Sequence, residues 1–190
     1  MATSEERRRQ RIAEVAGLER AGDVKGALDA ATGALEEDEG AGELHYMRGC
    51  YLLQLARHGE ALRALERAVE LEPAHAQAIN NLGIARFVLG SHGEAAEAFR
   101  EAARLDPTLA RARLNLGNAL FELGALREAA AAYEEAIRVA PRYLKAYVYA
   151  ADAFLGLGDF DAALRQADLL AALDPRGGAE LRARIEGGRG

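Results

Sequence analysis

The four prolines of the chain stand at Pro73, Pro107, Pro141 and Pro175, each 34 residues after the one before. Spacing this regular marks a repeat array, in which one supersecondary unit recurs and stacks on its neighbours. Cut 31 residues before each proline, the chain yields blocks 42–75, 76–109, 110–143 and 144–177. Other positions then coincide. Gly49, Gly83 and Gly117 share one place, with Ala151 in the fourth block, and Ala61, Ala95, Ala129 and Ala163 share another. A bulky slot holds Leu65, Phe99 and Tyr133 and shrinks to Ala167, while Ala68, Ala102 and Ala136 align with Leu170. Mid-block glycines Gly90, Gly124 and Gly158 align with Ala56. One period upstream, 8–41 brings Gly22, Ala27 and Ala34 into register, with Glu39 in place of the proline.

The domain reading is therefore a lead-in at 1–7, a divergent repeat at 8–41, four further repeats at 42–75, 76–109, 110–143 and 144–177, and a short capping turn with a flexible tail, Gly190 included, at 178–190. Five units leave no room among these 190 residues for a separate catalytic domain. Each unit reads as two helices. From Leu109, LARARLNLGNALFEL carries apolar residues at helical spacing, Gly124 interrupts, and REAAAAYEEAIRVA resumes the period up to Pro141. Glycine closes a helix in the left-handed conformation without steric cost, and proline cannot continue one. The 43 alanines serve close helix packing and helix propensity together.

The pattern N-L-G-N-A-x-x-x-L-G-x-x-x-E-A-x-x-x-Y-x-x-A-x-x-x-x-P, complete from Ala110 and nearly so from Ala76, resembles the tetratricopeptide repeat, over residues 8–177. That resemblance implies an all-α, right-handed superhelical solenoid of antiparallel helix pairs, whose first helices line a concave groove. Departures are local. The aromatic usual near the start of each first helix is His45, Ile79 and Arg113 in three blocks and is kept only by Tyr147. Arg48 and Arg86 also stand at family-apolar places, where they are expected to lay their stems on the packing face.

On this reading the groove wall consists of first-helix side chains spaced three and four apart. It takes Tyr46, Met47, Cys50, Leu53 and Gln54, then Asn80, Asn81, Ile84, Phe87 and Val88. It continues with Leu114, Asn115, Asn118, Phe121 and Glu122, and with Val148, Tyr149 and Asp152. Amides interleaved with apolar groups suit an extended peptide, because asparagine pairs with both N–H and C=O of a backbone. Scaffold roles stand as the other reading, both for the asparagines and for Phe87 and Phe121, which can pack between adjacent first helices.

Family members that hold the acidic EEVD-type chaperone tail use lysines at places filled here by Tyr46, Asn80, Leu114 and Val148, so that partner is not expected. A net charge of -6 argues against nucleic acid or an anionic membrane surface, and no single-sign funnel is apparent in the groove. No metal, cofactor or enzymatic activity is expected. His58 and His92 fall one repeat apart, His45 and Cys50 lack a third ligand, and Cys50 has no base or orienting partner in view. Nor is there a phosphate loop or a nucleotide fingerprint. Residues 1–11, MATSEERRRQR, lead into no apolar core, so a cytoplasmic location is expected. The arginines at 7, 8, 9 and 11 read as a solvated face of a helix that starts near Ser4. The functional expectation is a non-catalytic adaptor that binds a peptide of a partner protein in the groove. The alternative is self-association by stacking, motivated by Leu169, Leu170 and Leu173.

Overall fold

A computed structural model describes residues 3–188, and every regular element in them is helical. The chain falls into two compact units, one up to Ser91 and one from His92. The first holds α1 (Ser4–Arg20), α2 (Val24–Glu37), α3 (Gly42–Gln54), α4 (His58–Leu71) and α5 (Ala76–Val88). The second holds α6 (His92–Leu105), α7 (Ala110–Glu122), α8 (Leu126–Val139), α9 (Leu144–Gly156), α10 (Phe160–Ala171) and α11 (Pro175–Gly187). Within each unit consecutive helices pack on one another.

Helix ends follow from the punctuating residues. Four of the turns between paired helices place a glycine at positive φ: Gly22 at 78°, Gly90 at 85°, Gly124 at 74° and Gly158 at 73°. The fifth puts Ala56 there, at φ 56°, where its Cβ crowds the following carbonyl at a cost of about 1 kcal/mol. Replacing Ala56 by glycine should therefore stabilise the fold by roughly 0.5–1 kcal/mol even though glycine loses more entropy on folding, an increase that urea unfolding would measure. Pro73, Pro107 and Pro141 stand in the turns that follow α4, α6 and α8. Without a proline, α2 still ends at Glu37, and the chain turns through Asp38 and Gly40.

The first helix starts at Ser4, the start expected from Ser4 and the acids after it, and so takes in most of the 1–7 lead-in. Thr3 is its N-cap, in a capping box with Glu6 that satisfies two backbone donors. At the other end, 178–188 is no short turn. α11 is a 13-residue helix that begins at Pro175, the position where a missing N–H costs nothing, capped by Asp174. Residues 1, 2, 189 and 190, Gly190 among them, lie outside the described residues.

In the first unit Val15, Leu28, Leu35, Leu44, Tyr51, Leu52, Leu65 and Leu82 form a core with intervening alanines. The buried Tyr51 hydroxyl donates to Glu19 Oε2 at 3.1 Å and ties α3 to α1; burial, reinforced by Glu19, raises its pKa. In the second unit one cluster gathers Leu114, Ala129, Tyr133, Ala136 and Ala150, and another gathers Tyr147, Ala151, Ala167, Leu170, Leu181 and Ile185. The last two residues belong to α11, which thus covers the apolar face that α9 and α10 would otherwise leave open.

Two of the arginines at apolar family positions face acids on a neighbouring helix. Arg86 lies 3.7 Å from Glu66, and Arg113, with a side chain only 13% exposed, lies 3.5 Å from Glu135. At the amino end Arg7, Arg8 and Arg9 are exposed and Arg11 is half-buried, and two of the four also reach across to the next helix. Arg8 pairs with Asp38 at 2.6 Å and Arg11 with Glu37 at 2.5 Å, joining α1 to the end of α2. The Arg8 hydrogen bond holds the Asp38 carboxyl below its ordinary range.

Candidate peptide-binding surface

α3 packs on α2, α4 and α5, and α7 on α6, α8 and α9, so only a narrow strip of each faces outward. In the first unit that strip carries Tyr46, Cys50 and Leu53 from α3 and Asn81, Ile84 and Phe87 from α5, all half-buried, with Gln54 and Val88 exposed. Met47 and Asn80, expected on the wall, are buried, Asn80 completely. In the second unit Asn115, Asn118, Phe121, Val148, Tyr149 and Asp152 are half-buried and Glu122 is exposed, whereas Leu114 lies in the core at 5% exposure. The reason is geometric: spacings of three and four select a face broader than the strip that two flanking helices leave uncovered.

The wall side chains are held by hydrogen bonds from below. Asn80 Nδ2 donates to Asn81 Oδ1 at 3.1 Å, and Asn81 Nδ2 donates to Cys50 Sγ at 3.2 Å. Asn80 thus acts as a buried support that orients Asn81. In the second unit the Tyr133 hydroxyl, from α8, donates to Asn118 Oδ1 at 2.9 Å, and its ring lies 5.7 Å from that of Tyr149. Burial raises the Tyr133 pKa, so the phenol remains a donor. An amide carries two N–H donors and two carbonyl lone pairs, so the two scaffold bonds of Asn81 and the one of Asn118 leave capacity for a ligand. Scaffold and ligand roles are therefore compatible in Asn81 and Asn118.

Ends of the wall are tied to other elements. Tyr46 stacks on His75 at 4.6 Å between ring centres, and its hydroxyl donates to Gln77 Oε1 at 3.2 Å. Asp152 Oδ1 accepts from Arg184 of α11 at 2.5 Å; burial pushes its carboxyl above the usual aspartate range, against the pull of Arg184. Sequence spacing did not reveal Tyr133, His75 or Arg184 as supports. The bulky slot of Leu65, Phe99 and Tyr133 was the one available signal, since only its third member carries a hydroxyl.

Glu43, Glu72 and His75 place potential ligand atoms within 4.8 Å of one another. The histidine argues against a metal. Its Nδ1 accepts the Ala78 N–H at 3.1 Å as the N-cap of α5, so the proton of the neutral ring sits on Nε2, and no lone pair is left for an ion. Elsewhere, His45 Nε2 contacts the Glu39 carbonyl at 3.0 Å, and His58 and His92 occupy the first positions of α4 and α6.

No helix among the described residues is long and apolar enough to cross a membrane. The sequence matches none of the curated proteins compared. Among solved structures, that of MamA is 26% identical, with a TM-score of 0.80 over 84% of this chain and 94% of its own. YrrB, described as a TPR protein with an unusual peptide-binding site, is 21% identical, with a TM-score of 0.79 over 93% of this chain and 90% of its own. PilF of Pseudomonas aeruginosa is 19% identical, with a TM-score of 0.76 over 95% and 89%. Two family models described as tetratricopeptide repeat match residues 46–110 and 110–143, together just over half the chain. With its 34-residue period, its paired helices and its left-handed turns, the chain belongs to the tetratricopeptide repeat family.

Proposed function

We propose that the protein is a non-catalytic, cytoplasmic adaptor that holds a peptide segment of a partner protein on the outward strips of its first helices. The fold itself is that of a protein-interaction scaffold. The observation that carries the finer reading is the presence in each unit of half-buried asparagines, anchored from behind, beside half-buried aromatic or aliphatic side chains: Asn81 with Ile84 and Phe87, and Asn118 with Phe121 and Tyr149. Anchored amides lose little rotamer freedom on binding, which favours backbone recognition. The peptide-binding site described for YrrB supports the same reading. A protein segment is preferred to nucleic acid, an anionic membrane or an EEVD-type tail because the chain is acidic and the clamp lysine positions hold Tyr46, Asn80, Leu114 and Val148.

The test is capture of partners from the source cell, followed by affinity measurement with the captured segment. Replacing Asn81, Asn115 and Asn118 together by alanine should weaken binding at least about tenfold, since each lost hydrogen bond is worth about 0.5–1.5 kcal/mol, while circular dichroism shows a folded array. Unchanged affinity in the folded triple variant would exclude the strip. The alternative, self-association, has its own support: Leu169, near the end of α10, and Leu173, in the turn after it, are 53% and 43% exposed, whereas Leu170 is consumed by the core. Sedimentation of the same preparations over a range of concentrations decides it, a constant monomer mass counting against stacking.

A further inference from the structure

A cavity of about 360 Å³ opens in the second unit where α9, the end of α10 and α11 meet. Its apolar lining comes from Leu144, Val148, Leu170 and Leu181. Leu170 and Leu181 are 2% and 5% exposed and form its floor, while Leu144, 36% exposed, stands at its edge. Four charged groups surround it, and three are already engaged. Asp174 Oδ1 accepts the Gly177 N–H at 3.1 Å as the cap of α11. Glu180 accepts from Arg176 Nε at 2.9 Å, and Arg184 is paired with Asp152. The fourth, Lys145, is an exposed ammonium that enters no ion pair among the described residues.

We infer that this cavity is a docking subsite for a peptide that sets an aliphatic side chain on the leucine and valine surface and an adjacent Asp or Glu side chain on Lys145. The inference rests on the peptide-adaptor reading for the existence of a peptide ligand and adds to it a sequence preference. Charge decides the form of the acid. A single uncommitted ammonium matches a single carboxylate, whereas the flanking Asp174 and Glu180, together with a chain charge of -6, repel a run of acids or an acidic residue at a free carboxyl terminus. The acid is therefore an isolated side chain within the segment. Burial of the aliphatic neighbour supplies the affinity, and the ion pair fixes the register.

The experiment selects phage-displayed random heptapeptides on the full chain and measures the affinity of fluorescein-labelled winners by polarisation. Winners are expected to carry one Asp or Glu within two residues of Leu, Ile or Val. Lys145→Glu should lower their affinity about tenfold, and exchanging the peptide's acid for lysine should restore binding to that variant but not to the parent. Lys145 lies in the first turn of α9, where an acidic replacement suits the helix dipole, so the variant keeps its fold. Unaltered affinity in Lys145→Glu, with loss in the triple asparagine variant, overturns the subsite and leaves the adaptor reading standing. Affinity unaltered in both variants, or no enrichment at all, overturns both.

Discussion

Replacing Gly178 by alanine should destabilise the protein by about 3 kcal/mol, although the same exchange inside a helix ordinarily gains up to about 1 kcal/mol from propensity. Gly178 lies in the first turn of α11, and a Cβ placed on it would sit 2.4 Å from the backbone N, the Cα and the Cβ of Ala171, at the end of α10. Backbone atoms of a helix cannot step aside as a side chain can, so α11 must withdraw. Leu181 and Ile185, 5% and 0% exposed, would leave the cluster they share with Tyr147, Ala167 and Leu170, and the ion pair of Arg182 with Asp168 would open. Overpacking costs about 1–3 kcal/mol, and partial exposure of two large aliphatic groups adds to it. For a chain of this size, 3 kcal/mol lowers the melting temperature by roughly 6–12 °C. Hydrogen exchange should place the loss in α11 and α10 first, because stability in an array is carried by nearest-neighbour interfaces. A melting temperature equal to the parent's would show that α11 is not held at this crossing. Gly33, in the interior of α2 with nothing within 4 Å of its Cβ position, is the control expected to move the other way.

The contrast between these two glycines shows where the sequence can be read and where it cannot. Period, helix pairing and the position of the turns are legible, because the signals are local: a proline that stops a helix, a glycine that turns left-handed. The left-handed Ala56 was visible only as an exception in an aligned column. Close approach is not local. Gly33 and Gly178 look alike in sequence, and only the second meets another backbone. The same limit governs the outward strip of the first helices. Spacing assigned Met47, Asn80 and Leu114 to the wall together with Asn81 and Asn118, because a helical face is defined by angle alone. The covering neighbours narrow it by contacts that no single helix encodes. Lys145 was legible as one of two lysines, but not as the uncommitted charge of a cavity, since the hydrogen-bond partners that engage Asp174, Glu180 and Arg184 are set by the placement of α11.

One tertiary relation, however, is written in the aligned columns and leads to the second large effect. Gly49 faces Leu65, and a Cβ on it would lie 2.5 Å from Leu65 Cγ; Gly117 faces Tyr133, with 2.4 Å to Cε1. In the last repeat the small place is Ala151, and the bulky place has become Ala167, both inside one core cluster. The columns thus trade volume between a first helix and its second helix. Tyr133 cannot yield to an added methyl, since it is 2% exposed, its hydroxyl is held by Asn118 and its ring lies against Tyr149. Gly117→Ala alone should therefore cost about 2–3 kcal/mol, and Tyr133→Ala alone about 3–5 kcal/mol for the lost ring. Combined, they reproduce the Ala151 and Ala167 pairing, and the double variant should be about 1–2 kcal/mol more stable than the sum of the single effects predicts. Strict additivity in urea unfolding would mean that the two columns do not exchange volume. The single Gly117→Ala variant carries a further consequence. By displacing Tyr133 it releases Asn118 and shifts Tyr149, so it should weaken peptide binding in the second unit without altering any residue of the strip.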